Sequence, residues 1–168
     1  MRMKNENGFT LIEILIVVLV IGLVGTFAAI AVNSARSKTR DATRLSAVRM
    51  TQSALEDYFN ETNSYPVSSG VPLGDSTQSV CLGTGGFHAS CSGDESVFLR
   101  VVTATLDTGL KGASACGTPS RNAYCYASSS DGLGYVIQFE LENALPQVGL
   151  IKGANCATPE GMKAGACT

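Results

Sequence analysis

Residues 9–32, FTLIEILIVVLVIGLVGTFAAIAV, are polar only at Thr10, Glu13 and Thr26. As an α-helix this run spans roughly 36 Å, enough for a bilayer core of about 30 Å. A cleaved secretory signal has an apolar region of only about 7–15 residues, so this run is too long for one. Its sixteen Phe, Leu, Ile and Val residues favour membrane insertion by roughly 5–10 kcal/mol in total. One carboxylate at mid-helix opposes insertion by roughly 3 kcal/mol, and by less near the end. Insertion therefore wins, but Glu13 brings an isolated anchor no benefit. An ionisable residue inside a membrane helix calls for a function and a partner.

The 168 residues hold one modest domain plus a long helix. Charge is unevenly spread. Residues 1–50 carry seven Lys/Arg against three Asp/Glu, whereas residues 51–168 carry five against eleven. An acidic C-terminal body gives no electrostatic reason to bind nucleic acid there. Six cysteines, Cys81, Cys91, Cys116, Cys125, Cys156 and Cys167, all lie in that acidic part. An even count behind a membrane segment argues for an oxidising compartment. Six cysteines allow 15 connectivities. The short spacings make Cys81–Cys91, Cys116–Cys125 and Cys156–Cys167 the simplest pairing, each loop contributing roughly 2–3 kcal/mol.

Topology draws two opposed signals. Arg2 and Lys4 precede the apolar run, while Arg36, Lys38, Arg40, Arg44 and Arg49 follow it. The positive-inside count places the body in the cytoplasm. The cysteines place it outside, and they carry more weight. Six thiols in a reducing compartment would need a metal or redox role that their spacing does not support.

The N-terminal stretch KNENGFTLIEILIVVLVIGLV resembles that of a type IV pilin or pilin-like protein. A short basic leader, residues 1–8, ends in Gly8. Phe9 follows, then Thr10-Leu11-Ile12-Glu13 and the apolar helix. The resemblance implies cleavage between Gly8 and Phe9 by a membrane-embedded prepilin peptidase, which would also N-methylate the new terminus of Phe9. It further implies that the Glu13 carboxylate meets the Phe9 ammonium of a neighbouring subunit and so sets assembly register. Two unpaired charges in low dielectric are costly, and pairing at the correct stagger removes that cost. Many pilins carry a proline in the second half of this helix, and this chain has none there. Gly22 and Gly25 either loosen the helix or aid close helix packing.

Beyond residue 32 the pattern becomes amphipathic. Leu45, Val48, Leu55, Tyr58 and Phe59 recur at helical spacing, and no Pro or Gly interrupts residues 26–63. One helix is expected from about Phe9 to Asn60. The basic run 36–49 reads as a solvated face. Contact with the acidic bodies of adjacent subunits is the sharper reading, and DNA binding a weaker third. Tyr65-Pro66 and Pro72 end the helix. The Asn60-Glu61-Thr62 triplet reads as the helix end rather than as a glycosylation acceptor.

Residues 67–95 read as a long loop. Its Cys81, His88 and Cys91 are spaced for a disulfide loop rather than for zinc. Residues 96–106 suit either a strand or a short helix. Tyr135, Ile137, Phe139 and Leu141 alternate with Val136, Gln138, Glu140 and Glu142, and Asp131-Gly132 supplies a turn. Residues 122–127 and 134–142 are therefore expected to form an antiparallel hairpin on the helix stripe, with 147–153 adding a strand. Glu140 and Glu142 read as solvated rather than as ligands. Cys156 to Cys167 should close a terminal loop.

The expected fold is α+β, a long N-terminal helix, membrane-spanning in its first half, packed on a small antiparallel sheet in a disulfide-stapled, loop-rich body. Its segments are a leader over 1–8, a span over 9–32 and an extracytoplasmic body over 33–168. No convergent nucleophile, base and donor set is legible. No catalytic, cofactor or metal residue is assigned. The resemblance implies a structural subunit of a type IV pilus or similar filament, resident in the inner membrane before assembly. Its implied partners are further copies of itself, the prepilin peptidase and an inner-membrane assembly platform. A pseudopilin of a secretion or competence apparatus is the alternative within the family, although the tail lacks the Asp-rich calcium loop of secretion pseudopilins. A membrane-anchored extracytoplasmic binding module is the alternative from another class.

Overall fold

The computed structural model describes residues 8–93, 96–100, 116 and 124–167. A single helix, α1, runs over Leu11–Thr62. Contacts divide the chain into two compact units, Met1–Arg36 and Ser37–Thr168. In the first unit the large apolar side chains of α1 from Leu11 to Val32 are exposed. By length and composition the helix can cross a membrane. Gly22 and Gly25 do not interrupt it.

In the second unit α1 buries one stripe. Asp41, Arg44, Val48, Thr51, Leu55 and Tyr58 recur at alternating steps of three and four residues, and all are buried. The helix stops at Asn63, the one described non-glycine residue with positive φ (57°). Asn tolerates this left-handed conformation better than most residues, which suits it to follow a helix. The Thr62 hydroxyl donates to the Tyr58 and Ser64 carbonyls, so the Asn60-Glu61-Thr62 triplet is bound up with the helix end. Tyr65 and Pro66 are buried directly after it.

The stripe packs with a five-stranded antiparallel sheet of order β1-β5-β6-β7-β8 and a three-stranded sheet of order β3-β2-β4. The strands are β1 (Val71–Pro72), β2 (Cys81–Gly83), β3 (Gly86–His88), β4 (Val97–Leu99), β5 (Tyr124–Ser128), β6 (Tyr135–Leu141), β7 (Gly153–Thr158) and β8 (Gly161–Ala164). β6 alternates strictly. Tyr135, Ile137, Phe139 and Leu141 are buried, and the residues between them are half-buried. It pairs with β5 through Tyr126 opposite Ile137, and with β7 through Phe139 opposite Asn155. The α+β class and the β5–β6 hairpin follow the sequence pattern.

Three local expectations need correction. Residues 67–95 are not one long loop, because β1, β2 and β3 lie within them. Two- and three-residue strands are too short for a period-two pattern to register. Residues 147–153 do not form a strand. Pro146 instead starts a 3₁₀ turn, Pro146–Val148, that ends on Gly149 in the left-handed region. Pro fixes φ near the helical value and Gly accepts positive φ, so the two residues dictate the turn. The Cys156–Cys167 tail is a β7–β8 hairpin rather than a loop. In the 96–106 segment Val97–Leu99 is a strand, while residues 101–106 lie outside the described residues, as do 122 and 123 of the expected hairpin.

Disulfides join Cys81 to Cys91, Cys116 to Cys125 and Cys156 to Cys167, with Cα–Cα separations of 6.1, 5.5 and 5.1 Å. Aromatic rings fill the core behind them. Tyr65 packs edge-on to Tyr135 with ring centres 4.7 Å apart, and Phe87 lies 5.0 Å from Tyr126. Burial foremost, with neighbouring tyrosines and, at Tyr135, Glu56 and Glu160 adding to it, raises the Tyr126 and Tyr135 hydroxyl pKa values, and the Tyr126 hydroxyl donates to the Pro66 carbonyl at 2.7 Å.

Candidate functional site

The sequence-predicted residues at the amino terminus lie together. Gly8, Phe9 and Thr10 precede α1 and are exposed, Phe9 at 78%. Thr10 is placed as the N-cap. Its carbonyl accepts from the Glu13 and Ile14 amides at 3.1 and 3.3 Å, and its hydroxyl accepts from the Glu13 amide at 3.3 Å. Thr-x-x-Glu is the sequence form of a capping box, with an acid in the first turn where the helix dipole favours negative charge. The Gly8–Phe9 bond therefore lies outside the helix. Glu13 is exposed, and no ion pair to it occurs among the described residues. Arg2 and Lys4 lie outside the described residues.

A second polar group, absent from the sequence reading, ties the end of β6 to α1. Arg44 and Asp41 have 0% side-chain exposure, and Arg44 Nη1 donates to Asp41 Oδ1 at 2.6 Å. Arg44 Nη2 also reaches Glu142 Oε1 at 2.8 Å. Arg40 holds the same carboxylate through both oxygens, Nε to Oε1 at 2.7 Å and Nη2 to Oε2 at 2.6 Å. Asp41 additionally accepts from the Glu142 amide at 2.9 Å, the Asn143 amide at 2.8 Å and the Asn143 side-chain nitrogen at 2.8 Å. Arg40 foremost, then Arg44, lowers the Glu142 pKa to about 2, against the desolvation that raises it.

These contacts correct two expectations. Arg44, fully buried, belongs to no solvated face, Arg40 is exposed yet held by Glu142, and Glu142, at 11% side-chain exposure, is not solvated. The signal was present in the spacing. Asp41 and Arg44 continue the 3-4 rhythm of Val48, Thr51, Leu55 and Tyr58, so charges fell on core positions. Asp41 takes four donors and Glu142 takes three, which makes the group a clamp rather than a reactive centre.

His88 does not join a Cys ligand set, because Cys81 and Cys91 are bonded to each other. Its ring instead covers Gly85, where an added Cβ would come within 2.7 Å of Nε2. Among the described residues no group of three His, Cys, Asp or Glu side chains is placed to hold a metal ion.

The model of the prokaryotic N-terminal methylation motif matches residues 3–29. No curated protein and no solved structure matches the chain. The chain carries the prepilin-type signature of type IV pilins. The signature and the apolar helix fit a membrane-anchored, pilin-like or pseudopilin precursor, and they point to a structural subunit rather than an enzyme.

Proposed function

We propose that the chain is a structural subunit of a type IV pilus or pilus-like filament. A prepilin peptidase cuts between Gly8 and Phe9 and N-methylates Phe9. Residues 1–8 are the leader, 9–32 span the inner membrane and then form the filament core, and 33–168 are the extracytoplasmic body at the filament surface. An inner-membrane platform draws subunits into the filament.

The observation that carries this reading is the motif match over residues 3–29 on an apolar helix whose own fold leaves it uncovered. Exposed apolar surface on that scale marks a membrane or partner-binding element. The placement of Gly8 and Phe9 ahead of the N-cap supports cleavage there, because a peptide bond outside the helix has no helical hydrogen bonds to break. Glu13 supports the assembly role. It lies four residues from Phe9, about 6 Å along a helix axis. Its carboxylate meets the Phe9 ammonium of a neighbour, and the pair selects the stagger at which neither charge is left alone in apolar surroundings.

N-terminal mass spectrometry of the native chain tests the reading. The expected terminus is N-methylated Phe9. A chain beginning at intact Met1 while working in the membrane as a lone subunit overturns it, in favour of an anchored extracytoplasmic module.

A further inference from the structure

We propose that the solvent face of α1 is a seam between parallel copies of this chain, in which Arg49 of one copy pairs with Glu56 of the next, set one heptad along the axis. The inference rests on the assembly reading above and adds to it the residues that fix lateral register in the body.

The cations after the apolar run divide in two. Arg40 and Arg44 are held by Glu142. Arg49 is exposed, and no ion pair to it occurs among the described residues. It sits away from the buried stripe, roughly 130° around the helix at 100° per residue. Ala42, Leu45, Ser46, Arg49, Met50 and Ser53 line a groove there. Ala42, Arg49 and Glu56 repeat at seven residues, as do Ser46, Ser53 and Asn60, and all six are exposed. Seven-residue spacing keeps positions on one side of a helix, the geometry of a helix–helix seam.

Arg49 and Glu56 are two turns apart, about 10.5 Å, beyond the i,i+4 spacing at which charges on one helix meet. A second copy shifted by that distance brings opposite charges together, with Ser46 facing Ser53 and Ser53 facing Asn60. Small side chains let the backbones approach. Glu56 is presented in a fixed position, because Tyr65 Oη donates to its Oε1 at 2.9 Å, and no described residue bonds its Oε2. An antiparallel pair would also match the charges, but copies that share one membrane orientation are parallel. The parallel contact is heterologous and does not close, so it repeats from copy to copy.

A photo-crosslinking amino acid at Ser53 of the full chain, expressed in its host, tests the seam. Irradiation should yield covalent homodimers and higher multimers. Arg49→Glu should weaken that yield about fivefold or more, and Arg49→Glu combined with Glu56→Arg should restore it. Glu56→Gln keeps an acceptor for Tyr65 while removing the charge, and should also weaken the yield, which separates pairing from folding. Processed subunits whose Ser53 probe captures no second copy, or whose yield ignores Arg49→Glu, overturn the seam alone. Chains that keep Met1 and form no multimer overturn the assembly reading with it.

Discussion

Glu13 and Glu142 are two carboxylates attached to apolar surroundings, and the chain treats them in opposite ways. Glu142 closes β6 against α1 and is met within the same chain by Arg40 and Arg44. Glu13 opens an apolar helix, where its amide donates to the N-cap Thr10, and no ion pair to it occurs among the described residues. One acid completes a folded body. The other, on the proposed reading, finds its ion pair in a neighbouring copy. Both arrangements involve α1, through Glu13 in its first turn and through Arg40 and Arg44 in its second half.

The clamp is the place where that contrast breaks most severely. Arg44→Ala leaves Asp41 buried and strips Glu142 of one of its two arginines. Removing one partner of a buried ion pair costs about 3–5 kcal/mol, a large share of the stability of a domain this size. Thermal unfolding of the detergent-solubilised chain should show it as a sharply lowered Tm. A loss below about 1 kcal/mol would mean that water relieves the cluster and that the two acids differ less than their burial suggests.

Protonation gives a gentler version of the same test. The folded-state pKa of Glu142 is lowered from 4.5 to about 2. The ionised carboxylate is thus favoured in the fold, and its stabilisation is complete above pH 4.5 and lost as pH falls towards 2. The loss should be about 2 kcal/mol, the scale of charge-assisted hydrogen bonds. Tm measured from pH 7 downward should decline across that window, and Glu142→Gln should flatten the decline there. A Glu142→Gln profile as steep as that of the parent would assign the acid sensitivity to other groups.

The legibility of these features tracks the range of the interactions behind them. The apolar run, the β5–β6 hairpin and the helix stop at Tyr65-Pro66 depend on neighbours within a few residues, so period and turn chemistry expose them. The clamp joins residues 40–44 to 142–143, and nothing in local sequence says which of the run's four arginines will find Glu142. What could be read was that Asp41 and Arg44 interrupt an apolar stripe at core positions. The short strands between residues 71 and 88 escaped because pairing across a sheet, rather than alternation within three residues, creates them. The Pro146 turn was legible in principle, since Pro and Gly three residues apart favour a turn over a strand. Among the readings of the basic run, a solvated face held for Arg49 and failed for Arg44, which one count of positive charge could not separate.

The smallest expected stability change belongs to Glu13, and it is the most discriminating. Glu13→Ala removes a side chain that no described residue pairs with, in a unit separate from the packed body. Ala also has the higher helix propensity, so the loss of a first-turn acid at the helix N-terminus is nearly offset. Body stability should therefore stay within about 0.5 kcal/mol of the parent. On the proposed reading, filaments recovered by shearing should nonetheless fall by about tenfold or more, because each subunit would carry one ammonium with no acid to meet it. The two measurements must separate. If filament yield stays normal, register does not depend on Glu13. If body stability falls together with yield, Glu13 acts within the chain after all, and its difference from Glu142 is one of degree.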